Sequence, residues 1–128
     1  MTNIKKEMLK IYKPYSNMDW MNYKLIRKDL TFHHIQKKCE GGRGIISNGA
    51  LLMPTPHQYL HIIEYKDYKT YKHINEIFKY INSQKYEPTL EQREIIEYLL
   101  TQFEKKHIED TNSKGKRLIR EKYLERCL

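Results

Sequence analysis

The feature that most constrains the fold of this chain is the placement of four of its six histidines. His33 and His34 are adjacent in the stretch TFHHI, and His57 and His61 lie four residues apart in the stretch PTPHQYLH. A helix that begins at Pro56 would place the second pair one turn apart on the same face. Adjacent residues on a strand point to opposite sides. The chain is therefore expected to bring the end of a strand against the start of a helix.

The sequence around these histidines predicts a strand, a loop, a second strand and a helix, in that order. Residues 23–35 mix alternation with β-branched and aromatic residues, which favours a strand. The glycine-rich stretch KKCEGGRG is typical of a loop, and residues 50–53 form the second expected strand after a turn at Asn48. Thr55 and Pro56 suit the N-cap and the first position of the helix.

Helical periodicity predicts further helices on both sides of this motif. An arm or short helix is expected within residues 1–20, before Pro14, and a last short helix within residues 116–127. A capping box of Thr89 and Gln92 marks the start of another helix. Three sets of apolar residues should face the core: Ile4, Met8 and Ile11; Tyr71, Ile74, Phe78 and Ile81; and Leu90, Ile95, Ile96, Leu99, Leu100 and Phe103.

Basic residues concentrate at the two ends of the chain, which has a net charge of +8. Residues 1–38 hold nine Lys/Arg against three Asp/Glu, and residues 114–128 hold six against two. Residues 39–66 are balanced, with two of each sign. Lysine and arginine release condensed counterions when they contact a polyanion, so this pattern fits nucleic acid. A basic solvated surface without a partner is the alternative that charge alone leaves open.

Neither cysteine usage nor hydropathy indicates an exported or membrane protein. Cys39 and Cys127 lie far apart and belong to no CxxC pair, so we expect two reduced thiols. No apolar run approaches the roughly 18–20 residues of a membrane span, and the N-terminal stretch lacks the apolar core of a secretory signal. We expect a cytoplasmic chain with no membrane partner.

Imidazoles in this arrangement can hold a metal ion. One residue of the pair His33 and His34 could join His57 and His61 on an ion, while the other faces a substrate. A helical pair of histidines with one ligand from elsewhere leaves coordination positions open, as a catalytic metal site requires.

The residues His33-His34, Gly41-Gly42, Asn48, Leu51-Leu52 and His57 resemble the motif of the HNH endonucleases, also called the ββα-metal nucleases. The resemblance covers about residues 27–64, and the histidines four apart look like the closing helix of the nuclease-colicin branch. It implies an α+β fold in which a two-stranded antiparallel hairpin and a helix pack with additional helices. The implied segments of one compact domain are a basic arm or helix (1–22), the HNH motif (23–68) and a helical extension (69–128).

The resemblance implies a metal-dependent endonuclease that hydrolyses phosphodiester bonds, and it assigns a role to each matching residue. His34 matches the general base, and Asn48 matches the residue that orients the base through its side-chain carbonyl. His33, His57 and His61 match ligands of one divalent metal ion (Zn, Ni, Mn, Co or Mg). Three imidazoles favour zinc, nickel, cobalt or manganese over magnesium.

DNA is the expected partner, with RNA as the alternative. Arg27 resembles a family position that contacts the scissile phosphate, while Lys37, Lys38 and Arg43 flank the loop and are candidates to hold the nucleic-acid backbone. Small free-standing members of this family often belong to phages and other mobile elements, and the resemblance implies that setting.

Two features depart from the family pattern. Residues 53–57 read MPTPH where many members have CxxCH, half of a zinc knuckle, so the helices after residue 68 are expected to brace the motif instead. His33 stands where many members have an aspartate. Two other functions remain open: a catalytically silent module of the same fold that binds nucleic acid or protein, and a structural metal site that staples a small fold.

Overall fold

Two short strands and four α-helices make up the regular structure of residues 3–12 and 17–107, which the computed structural model describes. This composition is of the α+β class, as the sequence predicts. In chain order the elements are α1 (Asn3–Ile11), β1 (Thr31–His34), β2 (Gly49–Leu52), α2 (Pro54–Lys66), α3 (Tyr68–Gln84) and α4 (Leu90–His107). None of the helices in these residues has the length and apolar composition needed to cross a bilayer.

The strands β1 and β2 pair in antiparallel register, from Thr31 opposite Leu52 to His34 opposite Gly49. The second strand is one residue earlier than predicted. The first is much shorter, because residues 23–30 are not part of it and include a 3-10 turn at Arg27–Asp29. The prediction of a strand over residues 23–35 was therefore wrong for its first two-thirds.

A buried polar network explains why the chain before β1 is a loop. The Oδ1 atom of Asp19 accepts hydrogen bonds from the backbone N–H groups of Met21 and Tyr23, at 2.8 and 2.9 Å. Its Oδ2 atom accepts one from Met53 at 2.8 Å. Arg93 on α4 donates to the Asp19 carbonyl at 2.9 Å, which joins this loop to the last described helix. Alternation in the sequence carries no information about such long-range partners.

The helix α2 begins at Pro54, two residues before the predicted start. Met53 takes the N-cap position, and the His57 N–H donates to its carbonyl at 3.0 Å. Proline at the first helical position loses no hydrogen bond there, so Pro54 can begin the helix. The shift leaves His57 and His61 one turn apart, as predicted.

The helix α3 packs against α2 and braces the hairpin. Its predicted apolar stripe is confirmed, since Tyr71, Ile74, Phe78 and Ile81 are all buried. The side chain of Asn82 adds a polar contact, because its Nδ2 donates to the carbonyls of Ile46 and Gly49 at 2.6 and 2.7 Å. The end of α3 is thereby fixed to the start of β2.

The helix α4 begins with the predicted capping box. Thr89 Oγ1 accepts from the Gln92 N–H at 3.2 Å, and Gln92 Oε1 accepts from the Thr89 N–H at 2.9 Å. Ile96, Leu100 and Phe103 are buried as expected, but Leu90 and Ile95 are 74% and 38% exposed and do not belong to the stripe. The helix predicted within residues 116–127 lies outside the described residues.

Candidate metal centre

Three of the four predicted histidines come together where β1 meets α2. The ring centroids of His33 and His57 lie 5.3 Å apart, and those of His57 and His61 lie 5.1 Å apart. The centroids of His33 and His61 are 6.3 Å apart. The cluster therefore joins one strand residue to a helical pair, as the sequence spacing indicates.

His33 is the buried member of the cluster, with 2% of its surface exposed. Its ring packs edge-on against Tyr71 and Phe78 of α3. Its Nε2 atom lies 2.8 Å from Oδ1 of Asn75 on the same helix. Because an amide oxygen only accepts hydrogen bonds, His33 donates from Nε2 and keeps its lone pair on Nδ1.

Thr31 sets the tautomer of His57. Its hydroxyl lies 2.7 Å from the Leu52 carbonyl and 2.7 Å from Nδ1 of His57. A carbonyl can only accept, so the single hydroxyl proton goes to Leu52 and the hydroxyl accepts a hydrogen bond from His57 Nδ1–H. The lone pair of His57 is then on Nε2.

Glu64 sets the tautomer of His61, whose side chain is 54% exposed. Nδ1 of His61 lies 3.2 Å from Oε1 of Glu64. A carboxylate only accepts, so the lone pair of His61 is on Nε2. Glu64 also forms an ion pair with Lys37. Burial acts to raise the pKa of Glu64, but Lys37 and His61 outweigh it and lower that pKa. The carboxylate is thus kept charged beside His61.

The electrostatic environment keeps the two less exposed histidines neutral. Burial lowers the pKa of His33 to about 4, against the Asn75 hydrogen bond, which raises it. Burial also lowers the pKa of His57 to about 4, and His61 and His34 add to that effect. A metal ligand must be the neutral imidazole, and at neutral pH both rings have that form.

The donor set suits a divalent transition metal in chemistry, and two of its three ring spacings fit one. Two imidazoles bound tetrahedrally at about 2.1 Å place their ring centroids roughly 5 Å apart. The pairs that include His57 match this spacing, and the pair His33–His61 is about 1 Å longer. As the side chains stand, no group of three His, Cys, Asp or Glu residues within residues 3–12 and 17–107 is arranged to hold an ion.

His34 lies on the opposite face of β1 from His33, as adjacent residues of a strand do. Its ring packs edge-on against Phe32, with centroids 4.9 Å apart. Its Nε2 faces Gly44, where an added Cβ atom would stand 3.7 Å away. Neither ring nitrogen of His34 has a hydrogen-bond partner among the described residues.

Asn48 does not make the predicted hydrogen bond to His34. Its Oδ1 instead accepts from the Gln36 N–H at 2.8 Å, and its Nδ2 donates to the carbonyls of Gln36 and Arg43, both at 3.0 Å. Both N–H groups of the carboxamide and one hydrogen bond to its oxygen are thus used within the loop that follows β1. Asn48 fixes the backbone two residues after His34.

The four basic residues predicted to bind nucleic acid do not form one cluster. Arg27 and Lys38 are exposed on separate 3-10 turns. Arg43 is exposed in the loop, and Lys37 is engaged by Glu64. Only Lys37 and Arg43 line a common cleft.

Sequence reasoning missed Thr31, Glu64 and Asn75, the three residues that orient the imidazoles. A signal existed for Asn75 alone, because it is a polar residue one position after Ile74 within the buried part of α3. A buried amide requires a partner, and a partner 42 residues away is invisible to a reading of local periodicity.

Comparison of the chain with protein-family models, with curated proteins and with solved structures gives no match.

Proposed function

We propose that this chain is a metal-dependent endonuclease of the HNH type, which hydrolyses phosphodiester bonds in DNA. One observation carries the proposal: three imidazoles from β1 and α2 cluster with ring centroids 5.1–6.3 Å apart, each with one nitrogen occupied by an orienting partner. A lone pair is left on Nδ1 of His33 and on Nε2 of His57 and His61.

The order of hairpin and helix supports the same proposal, since it is the order that the HNH resemblance implies. His33, His57 and His61 would hold the ion. When bound, a divalent ion supplies positive charge that stabilises the phosphate in its transition state and the departing oxygen.

His34 is the proposed general base. A neutral imidazole can accept a proton from water near neutral pH. We assign Nε2 as the accepting atom, because it faces the backbone of Gly44 and no described residue occupies it. The side chain of Asn48 holds the loop that follows β1 through two hydrogen bonds with the backbone of Gln36.

Plasmid nicking in the presence of Mg, Mn, Co, Ni or Zn tests the proposal, with EDTA as a control. The His34→Ala variant should lose about 10²–10⁴-fold in cleavage rate and keep metal binding by isothermal titration calorimetry. The His57→Ala variant should lose both. His73→Ala is the matched control, since His73 is an exposed histidine of α3 outside the cluster. Wild-type protein that binds these metals and leaves the plasmid intact would refute the nuclease.

A catalytically silent module of the same fold is the second candidate, and one observation favours it. His34 has no hydrogen-bond partner in the described part of the chain, so its ring is not oriented as a general base usually is. Under this alternative the wild-type protein binds DNA in a salt-dependent manner, and no metal among the five stimulates cleavage.

A further inference from the structure

A cleft of about 630 Å³ lies between the loop that follows β1 and the N-terminal two-thirds of α3. We refer to it as the basic cleft, and the residues that matter for its chemistry are Lys37, Arg43, Tyr68, Lys72, Asn75 and Lys79. Its volume is within the range of about 300–1,000 Å³ that ligand sites occupy. A space of this size can hold one or two nucleotides of a single strand.

The charge of the basic cleft is positive and largely unpaired. Four basic side chains line it against two acidic ones, Glu40 and Glu76. Lys37 is engaged by Glu64. In the described residues no carboxylate lies within 4 Å of the charged atoms of Arg43, Lys72 or Lys79. Three cations are thus available to an anionic ligand.

The cleft adjoins the histidine cluster through two of its lining residues. Asn75 lines the cleft and accepts the hydrogen bond from His33. Lys37 lines it and pairs with Glu64, the partner of His61. A strand lying in the cleft would therefore contact residues that bond to the histidine cluster, although no histidine lines the cleft.

An exposed aromatic ring stands in the same cleft. Tyr68, at the start of α3, is 56% exposed, and its ring lies 5.8 Å from that of Tyr71. Bases of single-stranded nucleic acid stack on aromatic rings of this kind, and the interaction tolerates any base. Cations beside an exposed ring are the two elements of a single-strand binding groove.

We infer that the basic cleft binds a single-stranded segment of DNA, with Lys72 and Lys79 on its phosphates and Tyr68 stacked on a base. This inference rests on the proposed function, of which it names the substrate-binding surface. It draws on residues of α3, outside the stretch that resembles the HNH motif. The cleft residues also explain why α3 carries lysines at positions 72 and 79, seven residues apart and on the same side of the helix.

Fluorescence anisotropy of a labelled oligothymidylate, measured in EDTA over a series of salt concentrations, tests the inference without any cleavage. Lys72→Gln and Lys79→Gln should each weaken binding several-fold and reduce the slope of log K against log salt by about 0.7. Lys69→Gln is the matched control, because Lys69 is an exposed lysine of α3 that does not line the cleft. It should leave the slope unchanged.

Replacement of the ring tests stacking separately. Tyr68→Ala should bind oligothymidylate roughly 5–100-fold more weakly, whereas Tyr80→Ala should bind as the wild type does. Tyr80 is an exposed tyrosine of α3 that does not line the cleft. Thermal unfolding of each variant shows whether a loss of binding reflects a loss of folding. For any variant with a lowered melting temperature, the conservative substitution at the same position (Lys→Arg or Tyr→Phe) is measured instead, and it should bind as the wild type does.

The outcomes separate this inference from the nuclease proposal. Loss of binding in the cleft variants supports the basic cleft even if the wild-type protein nicks no plasmid. Unchanged binding in all three cleft variants overturns it even if the wild-type protein is an active nuclease. The inference is also overturned if the wild-type protein does not bind oligothymidylate. It is overturned as well if the protein binds a duplex more tightly than the oligothymidylate and the cleft substitutions do not change that duplex binding.

Discussion

Replacement of Thr31 by valine tests whether the tautomer of His57 is set for metal binding. Valine has nearly the shape of threonine but lacks the hydroxyl, so the packing beside β2 is retained. The substitution leaves two groups without their partner, the Leu52 carbonyl and Nδ1 of His57, each 2.7 Å from the hydroxyl in the wild type. His57 is then free to carry its proton on Nε2, where the ion would bind.

The substitution should change both the stability of the fold and the affinity for metal. Each lost hydrogen bond is worth about 0.5–1.5 kcal/mol net, so Thr31→Val should lower the free energy of unfolding by about 1–3 kcal/mol. Loss of a group that orients a ligating histidine typically weakens metal affinity about 10–100-fold. Thr31→Ser keeps the hydroxyl and is the control for both effects.

Urea unfolding in EDTA measures the first effect, and calorimetric titration with Zn²⁺ or Co²⁺ measures the second. We expect Thr31→Val to be impaired in both and Thr31→Ser to be close to the wild type. A Thr31→Val protein that loses stability and binds metal with wild-type affinity would refute the reasoning, because Thr31 would then serve only to support the strand.

Three further predictions concern stability and the loop. In EDTA, a His33→Phe variant should lose less free energy of unfolding than the wild type as the pH drops from about 6.5 to 4, because unfolded histidine is protonated below its ordinary pKa while folded His33 stays neutral to about 4. The difference should be about 3 kcal/mol at 1.36 kcal/mol per pKa unit, and it excludes the opposite effect of Asp19, whose pKa burial raises to about 7. Equal changes in the urea midpoints of the two proteins between pH 7 and 4.5 would contradict this. Gly42→Ala should disrupt the loop, since its Cβ would stand 1.8 Å from the Gln36 carbonyl oxygen. Gly44→Ala is the control, because its Cβ meets nothing closer than 3.7 Å. Equal thermal stability and equal rates of proteolysis of the two variants would disprove this prediction. Asp19→Asn should lower the free energy of unfolding by about 1–3 kcal/mol, measured by chemical denaturation. An amide NH₂ group then replaces one of the two oxygens that accept hydrogen bonds from backbone N–H groups. A stability equal to that of the wild type would show that the buried network is dispensable.

The local parts of the fold could be predicted from the sequence because they depend on near neighbours. Proline at a helix start, the Thr89–Gln92 box and the stripe from Tyr71 to Ile81 all operate within a few residues. The placement of His57 and His61 belongs to this class, so an error of two residues in the start of α2 did not affect it.

The remaining features depend on contacts across the chain. Leu90 and Ile95 have the composition of a core stripe, but the packing of α4 leaves them on its outer side. The loop before β1 is held by Arg93, more than 70 residues away. Asn48 was expected to contact His34, but its carboxamide makes its hydrogen bonds within its own loop, and no pattern in the sequence distinguishes the two uses.

Two asparagines on α3, separated by two helical turns, attach the hairpin to this helix at two positions. Asn75 accepts from the ring of His33, and Asn82 donates to the carbonyls at the entry to β2. The smallest fragment that keeps the histidines in place therefore extends through Gln84, well beyond the residues that carry them. Transfer of residues 31–61 to another scaffold would move the histidines without the helix that holds them. A design based on this motif would therefore have to include both asparagine side chains.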